Sequence, residues 1–172
     1  MEGVARYKVR LMEHNPKWED EFLKVKNELI ECWGSSITDI QHVGSTAIRS
    51  ICAKPILDVA VQVTSISNLD IEALTSRGYD YCGSQHGNEN YHLFVLRSKE
   101  GASLRHIHCY DKSEKEFDLL VGFCKYLNAH REQALEYENL KKTLAEKYPD
   151  DRTAYTAGKE EFIKSIYGRL SS

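Results

Sequence analysis

The sequence predicts an α+β fold, in which a mixed sheet of four to five strands carries helices packed on one face. Segments rich in β-branched and aromatic residues are confined to the first 110 positions or so. Past Ser113 the apolar residues recur with a helical period to the end of the chain. The composition, 41% hydrophobic and 28% charged, excludes global disorder. Strands that precede helices in this way favour a layer of helices against a sheet.

A single domain of 172 residues is expected, with the sheet core over about 7–110 and the C-terminal helices over about 113–170. The first helix is predicted to begin at Pro16, after Asn15 as its N-cap, and to stop at Gly34. Two or three helices are expected after Ser113, with an interruption at Pro149, because proline cannot continue a helix.

The strand predictions rest on β-branched content and alternation. Strands are expected at Ile37–Val43, 56–63, 91–97 and 104–110, and a further strand is expected to begin at Tyr79. The polar stretch 83–90 predicts a loop.

The charge balance disfavours nucleic-acid binding, because 23 basic residues against 26 acidic residues leave no excess of positive charge. No apolar run is long enough to span a bilayer, and the N-terminal segment lacks the apolar core of a signal peptide. The five cysteines form no Cys-x-x-Cys pair. A cytoplasmic protein with no membrane partner is therefore expected, and its oligomeric state is not predicted.

The most informative stretch is a Gly-Ser turn between two predicted strands. Backbone N–H groups are unpaired where a strand ends in Gly44-Ser45-Thr46, and such a turn attracts phosphate. Asp58 follows Ser45 after twelve intervening residues, inside an apolar strand where an ionised carboxylate needs a metal or a hydrogen-bonding partner. Arg49 and Lys54 lie in the connection, where either one is able to neutralise a phosphate.

These residues resemble a known signature. Gly44-Ser45 and Asp58 are similar to the motif of the polymerase-beta-type nucleotidyltransferase superfamily. More closely, the segments QHVGSTAIRSICAKPILDV and RHIHCY and the tail from FCKYLNAH to GKEEF resemble the GrpB family of nucleotidyltransferase-like proteins. The resemblance spans the chain from about Val9 to Tyr167.

The resemblance implies a nucleotidyltransferase-like fold and the binding of a nucleotide or another phosphorylated small molecule. It implies transfer of a nucleoside monophosphate with a divalent metal, Mg²⁺ or Mn²⁺. The implied catalytic residues are Asp58 and Ser45. The residues predicted to bind substrate are Gly44, Ser45, Thr46, Arg49 and Lys54.

One position departs from the superfamily pattern. Active enzymes carry a second carboxylate two residues after the first, on the same strand face, where this chain has Ala60. His106 and His108 share one face of their predicted strand, and with Asp58 they offer a two-histidine, one-carboxylate metal site. Such a donor set suits Zn²⁺, Fe²⁺ or Mn²⁺ better than Mg²⁺. His42 either joins this cleft or simply ends its strand.

The sequence is compatible with three functions. The first is nucleotidyl transfer at the Gly44 turn and Asp58. The second is a non-catalytic ligand-binding or interaction module that lost transfer activity with the carboxylate missing at Ala60. The third is a different metal-dependent enzyme built on the His/Asp site.

Overall fold

The computed structural model describes residues 1–171 and contains a five-stranded mixed sheet. Its strands are β1 (Ile37–Val43), β2 (Leu57–Val63), β3 (Tyr79–Gln85), β4 (Asn88–Arg97) and β5 (Ser103–Asp111). They lie in the order β1-β2-β5-β4-β3. The β2–β5 pair is parallel, and the other three pairs are antiparallel. The predicted α+β class and mixed sheet are confirmed.

The central strands β2 and β5 set the faces of the sheet. Their parallel register places Asp58 beside His106 and Ala60 beside His108. Because side chains alternate along a strand, these four residues lie on one face, and neighbours such as Val59 lie on the other.

Helices cover both faces of the sheet. The helices are α1 (Lys17–Trp33), α2 (Ile71–Thr75), α3 (Glu116–Ala129), α4 (Arg131–Lys147), α5 (Arg152–Ala157) and α6 (Glu160–Leu170). Helices α1 and α2 pack on the Val59 face, whereas α3, α4 and α6 pack on the Ala60 face. The sequence predicts helices on one face only, whereas the structure has them on both. The reason is that β2 is apolar on both sides, since Val59 and Ala60 are both fully buried.

Two connections differ from their predictions. The predicted loop 83–90 is mostly strand, because β3 and β4 form a hairpin with a two-residue turn at His86 and Gly87. Both turn residues have positive φ, 53° and 71°, as a type I′ turn requires. Four helices follow Ser113, because a non-helical His130 separates α3 from α4. Within residues 1–171 no helix combines the length and apolarity needed to cross a membrane.

Candidate functional site

A cavity of about 420 Å³ opens on the Ala60 face of the sheet. Its volume is within the range of sites for small organic ligands. The structure brings together here seven of the residues predicted for the site: Gly44, Ser45, Thr46, Lys54, Asp58, His106 and His108. We call it the Asp58 cavity.

The Gly-Ser turn forms the rim of this cavity and is fixed to helix α3. Gly44 has φ 72° and leads into a single 3₁₀ turn, Ser45–Ala47. The Gly44 carbonyl accepts hydrogen bonds from Ala47 N at 3.1 Å and from Cys124 Sγ at 3.5 Å. These contacts leave the first N–H groups of the turn without a partner inside the turn itself.

The turn touches the carboxylate of Asp58. A Cβ atom added to Gly44 would lie 2.7 Å from Asp58 Oδ2, closer than real Cβ contacts occur. The antiparallel register explains this proximity, because Val43 pairs with Asp58 across β1 and β2. Residue 44 must be glycine for two reasons, its positive φ and the absence of space for a side chain.

Two imidazoles contact the same carboxylate oxygen. His108 Nε2 lies 2.8 Å and His106 Nδ1 lies 3.4 Å from Asp58 Oδ1. Burial acts to raise the pKa of the Asp58 carboxyl, but the contacts with His106 and His108 outweigh it and hold that pKa well below its usual range. Asp58 is therefore ionised at neutral pH, although its side chain is only 26% exposed.

Tyr91 extends this cluster by one hydrogen bond, from its hydroxyl to His108 Nδ1 at 2.7 Å. Burial raises the pKa of Tyr91, so its hydroxyl keeps its proton. An ionised carboxylate only accepts hydrogen bonds, so His108 Nε2 donates to Asp58, and in the neutral form of the imidazole Nδ1 accepts from Tyr91. The hydrogen bonds thereby select one tautomer of the neutral imidazole.

Three cations also line the Asp58 cavity: Lys54, Arg152 and Lys159. The Nζ atoms of Lys54 and Lys159 lie 5.2 Å and 4.7 Å from the ring centroid of Tyr155. Burial and the neighbouring positive charges lower the pKa of Lys54 to about 7. Burial also lowers the pKa of Lys159 to about 8. Two carboxylates, Asp58 and Glu116, line the cavity together with these three basic side chains.

The remaining predicted residues have other neighbours. Thr46 lines the cavity, but its hydroxyl lies 2.8 Å from His42 Nε2, and His42 stacks on Phe22. Arg49 does not line the Asp58 cavity. It lies with His42 in a second cavity of about 520 Å³ on the other side of the turn. The Ser45 side chain lies near the Tyr137 hydroxyl, and burial raises the pKa of that hydroxyl.

Sequence reasoning missed Tyr91, Arg152, Tyr155 and Lys159. The last three have a readable signal, because positions i, i+3 and i+7 share one face of a helix. Helix α5 ends at Ala157 and Lys159 follows it, so the periodicity alone places the three together only approximately. Tyr91 carries no such signal, since an aromatic residue in a strand usually marks the core.

The chemistry of the donor set fits a divalent metal. One ligand atom from each of Asp58, His106 and His108 lies within 4.8 Å of the other two. Two imidazole nitrogens and one carboxylate oxygen form the set preferred by Mn²⁺, Fe²⁺ and Zn²⁺. Tyr91, bonded to the outer nitrogen of His108, occupies the position from which a neighbouring group orients a metal-binding imidazole.

The fold and the cavity define a protein of the nucleotidyltransferase-like fold class. The structure is similar to that of Cid1 in complex with the UTP analog UMPNPP, with a TM-score of 0.52 and 14% identity. That similarity covers 78% of this chain and 42% of Cid1. At this identity the likeness concerns the fold alone.

The chain belongs to the GrpB family, whose description is "GrpB protein" and whose profile matches residues 8–169. It is 36% identical over 176 residues to the glutamate-rich protein GrpB of Alkalihalophilus pseudofirmus, covering 99% of this chain and 100% of that protein. The crystal structure of the conserved protein GrpB from Enterococcus faecalis is similar with a TM-score of 0.83 and 27% identity. This similarity covers 93% of this chain and 96% of the Enterococcus faecalis protein. The predicted family is confirmed.

Proposed function

We propose that this chain binds a nucleotide together with a divalent metal in the Asp58 cavity and transfers the nucleoside monophosphate to a small acceptor. One observation carries the proposal: the Gly44 turn touches the carboxylate of Asp58. A phosphate held at the turn N–H groups would thereby lie next to the residues that bind the metal.

Each group has a role in this proposal. The N–H groups of Ser45 and Thr46 hold phosphate oxygens at the start of the turn. Asp58, His106 and His108 would hold the metal. When bound, the metal would supply Lewis-acid stabilisation of the phosphate oxygens. Lys54 adds positive charge at the same cavity wall.

The proposed reaction is a substitution at the α-phosphorus. The oxygen of an acceptor hydroxyl forms a bond to this phosphorus, and its proton passes to water. The bond from the α-phosphorus to the bridging oxygen breaks, and pyrophosphate leaves with the electron pair. The residues of the cavity act by positioning the phosphates and by neutralising the charge on the leaving group.

Pyrophosphate release tests the proposal. The protein is incubated with ATP, CTP, GTP and UTP in turn, with Mn²⁺ or Mg²⁺ and a pool of hydroxyl acceptors. We expect release with at least one nucleotide and loss of release in Asp58→Asn. Asp80→Asn is the matched control, because Asp80 is an exposed strand carboxylate bonded to Arg97 outside the cavity. Equal release from wild type and Asp58→Asn would overturn the proposal.

Ala60 favours a second candidate, a ligand-binding module without transfer. Ala60 occupies the position of the second superfamily carboxylate, and it is fully buried. One fewer carboxylate leaves a two-metal arrangement with less charge compensation. Calorimetric nucleotide binding that depends on Asp58, without pyrophosphate release under any of these conditions, would support the module over the enzyme.

A further inference from the structure

We infer that Lys54, Arg152 and Lys159 form a separate subsite for the terminal phosphates of a polyphosphate ligand. The inference rests on the proposed function, since it assigns the polyphosphate end of the ligand to one wall of the Asp58 cavity. It narrows the ligand class to compounds that carry a free di- or triphosphate, excluding nucleosides and monophosphates as good ligands.

The guanidinium of Arg152 is partly buried and lacks hydrogen-bond partners in the part of the chain that the structure describes. Its Nε and Nη2 atoms are inaccessible to solvent and have no hydrogen-bond partner among residues 1–171. Arginine cannot lose its charge in a protein, and a buried charged group without a partner is costly. The guanidinium fork matches the geometry of phosphate oxygens, so a phosphate would supply the bonds that the protein leaves unmade.

Two lysines, Lys54 and Lys159, line the same cavity as Arg152. In the part of the chain that the structure describes, Lys54, Arg152 and Lys159 make no ion pair and no side-chain hydrogen bond. Both ammonium groups instead lie against the ring of Tyr155, which is 1% exposed. Two ammonium groups therefore contact one buried ring and repel each other, and an anionic ligand between them would relieve this repulsion.

The charges around this cluster are of both signs. Two carboxylates, Asp58 and Glu116, line the cavity with these three cations, and the charges of Lys159, Arg152 and Lys141 all repel the Lys54 ammonium group. Lys141 is itself buried, bonded through Nζ to the carbonyl of Cys52. A divalent metal at Asp58 would add more positive charge. A terminal phosphate carries about two negative charges at neutral pH, so a polyphosphate fits the excess better than a single phosphate does.

The subsite assigns a role to Lys54, Arg152 and Lys159, which are not part of the Gly44 turn. In the proposed reaction the pyrophosphate leaves with the electron pair of the broken bond, and its new negative charge would be neutralised here. Arg49, predicted for this role from the sequence, lies in the second cavity instead.

Titration calorimetry with inorganic pyrophosphate in metal-free buffer containing a chelator tests the inference. We expect wild type to bind, and Lys54→Met, Arg152→Met and Lys159→Met each to bind about tenfold more weakly or worse. Arg49→Gln is the matched control, and its affinity should be unchanged. Asp58→Asn should bind at least as well as wild type, because it removes a repelling charge while it abolishes the proposed metal site.

Proton uptake supplies a second readout. Pyrophosphate would hold the Lys54 and Lys159 ammonium groups protonated, so binding at pH 8 should take up protons, measured in buffers of different ionisation enthalpy. The uptake should fall in Lys54→Met and Lys159→Met.

Wild type that fails to bind pyrophosphate, or the three cluster variants binding it as tightly as Arg49→Gln, would overturn the inference. Neither result bears on the proposed metal-dependent reaction. That proposal is overturned by a different result, namely that Asp58→Asn releases pyrophosphate from a nucleotide as fast as wild type does.

Discussion

The carboxylate of Asp58 occupies the space where a side chain on Gly44 would begin, with Oδ2 2.7 Å from the position of such a Cβ. Gly44 is the last residue before the 3₁₀ turn, and Asp58 lies near the start of strand β2. This contact joins the two halves of the proposed site, the turn proposed to hold phosphate and the acid proposed to hold a metal.

Gly44→Ala tests the contact directly. Gly44, with φ 72° and ψ −175°, lies in a region that is essentially restricted to glycine and costs an alanine roughly 1–3 kcal/mol, and the collision with Asp58 adds roughly 1–3 kcal/mol. Gly83→Ala is the control, because Gly83 has the same φ of 72° and no atom near its Cβ position. Urea unfolding should show the larger loss for Gly44→Ala, which should also weaken Mn²⁺ binding. Equal losses of unfolding free energy for both variants would show that Asp58 moves aside without destabilising the fold.

Tyr91→Phe tests whether the Tyr91 hydroxyl positions His108. A metal at His108 Nε2 requires that nitrogen to release its proton, so Nδ1 becomes the donor and the hydroxyl accepts. Loss of the hydroxyl should weaken Mn²⁺ binding about 10-fold or more in a calorimetric titration. Tyr81→Phe is the control, since Tyr81 bonds His92 Nδ1 at 2.6 Å outside the cavity. Similar Mn²⁺ affinities for the two variants would contradict this role.

Ala60→Asp tests the missing carboxylate. Residue 60 is fully buried, packed in the apolar cluster beneath helices α3 and α4, and it does not line the cavity. An unpaired buried carboxylate costs about 3–5 kcal/mol, so the variant should be strongly destabilised, and Mn²⁺ should not restore it. Ala60→Asn separates volume from charge. Recovery of Ala60→Asp but not of Ala60→Asn on addition of Mn²⁺ would show that residue 60 reaches the metal.

Lys54→Met should stabilise the fold while it impairs ligand binding. The folded pKa of Lys54 is about 7, whereas an unfolded lysine keeps its proton to about pH 10.4. The unfolded state therefore binds more protons between these values, and the free energy of unfolding rises with pH from 7 to 9.

Without the Lys54 ammonium group that rise should be smaller, and stability at pH 7 should increase by about 1 kcal/mol or more. Urea unfolding at pH 7, 8 and 9 measures both effects. Lys112→Met, at an exposed lysine, should leave the pH dependence as in wild type. The same slope in Lys54→Met as in wild type would contradict the lowered pKa.

Local patterns predicted the parts of the site that lie close in sequence. Strand β1 has the predicted bounds, Ile37–Val43, and β2 begins one residue later than expected. Strands β1 and β2 pair antiparallel with Val43 opposite Asp58, and this register places Gly44 beside Asp58 although residues 44–56 connect the two strands.

Local patterns did not predict which residues from distant parts of the sequence come together in the site. His106 and His108 face Asp58 because β5 lies parallel to β2, and strand order depends on the packing of the whole sheet. Alternation did predict that both imidazoles share a face. Arg152 and Lys159 reach the cavity because α5 and the start of α6 pack beside it, and charged residues on a helix usually face solvent.

In the proposed site Asp58, His106 and His108 bind a divalent metal beside the Gly44 turn. Anomalous diffraction at the manganese edge, from crystals of the protein soaked in Mn²⁺, measures this directly. We predict one strong peak within coordination distance of Asp58 Oδ1, of an imidazole nitrogen of His106 and of His108 Nε2, and no such peak in crystals of Asp58→Asn. A peak elsewhere in the chain, with none among these three side chains, would contradict the account.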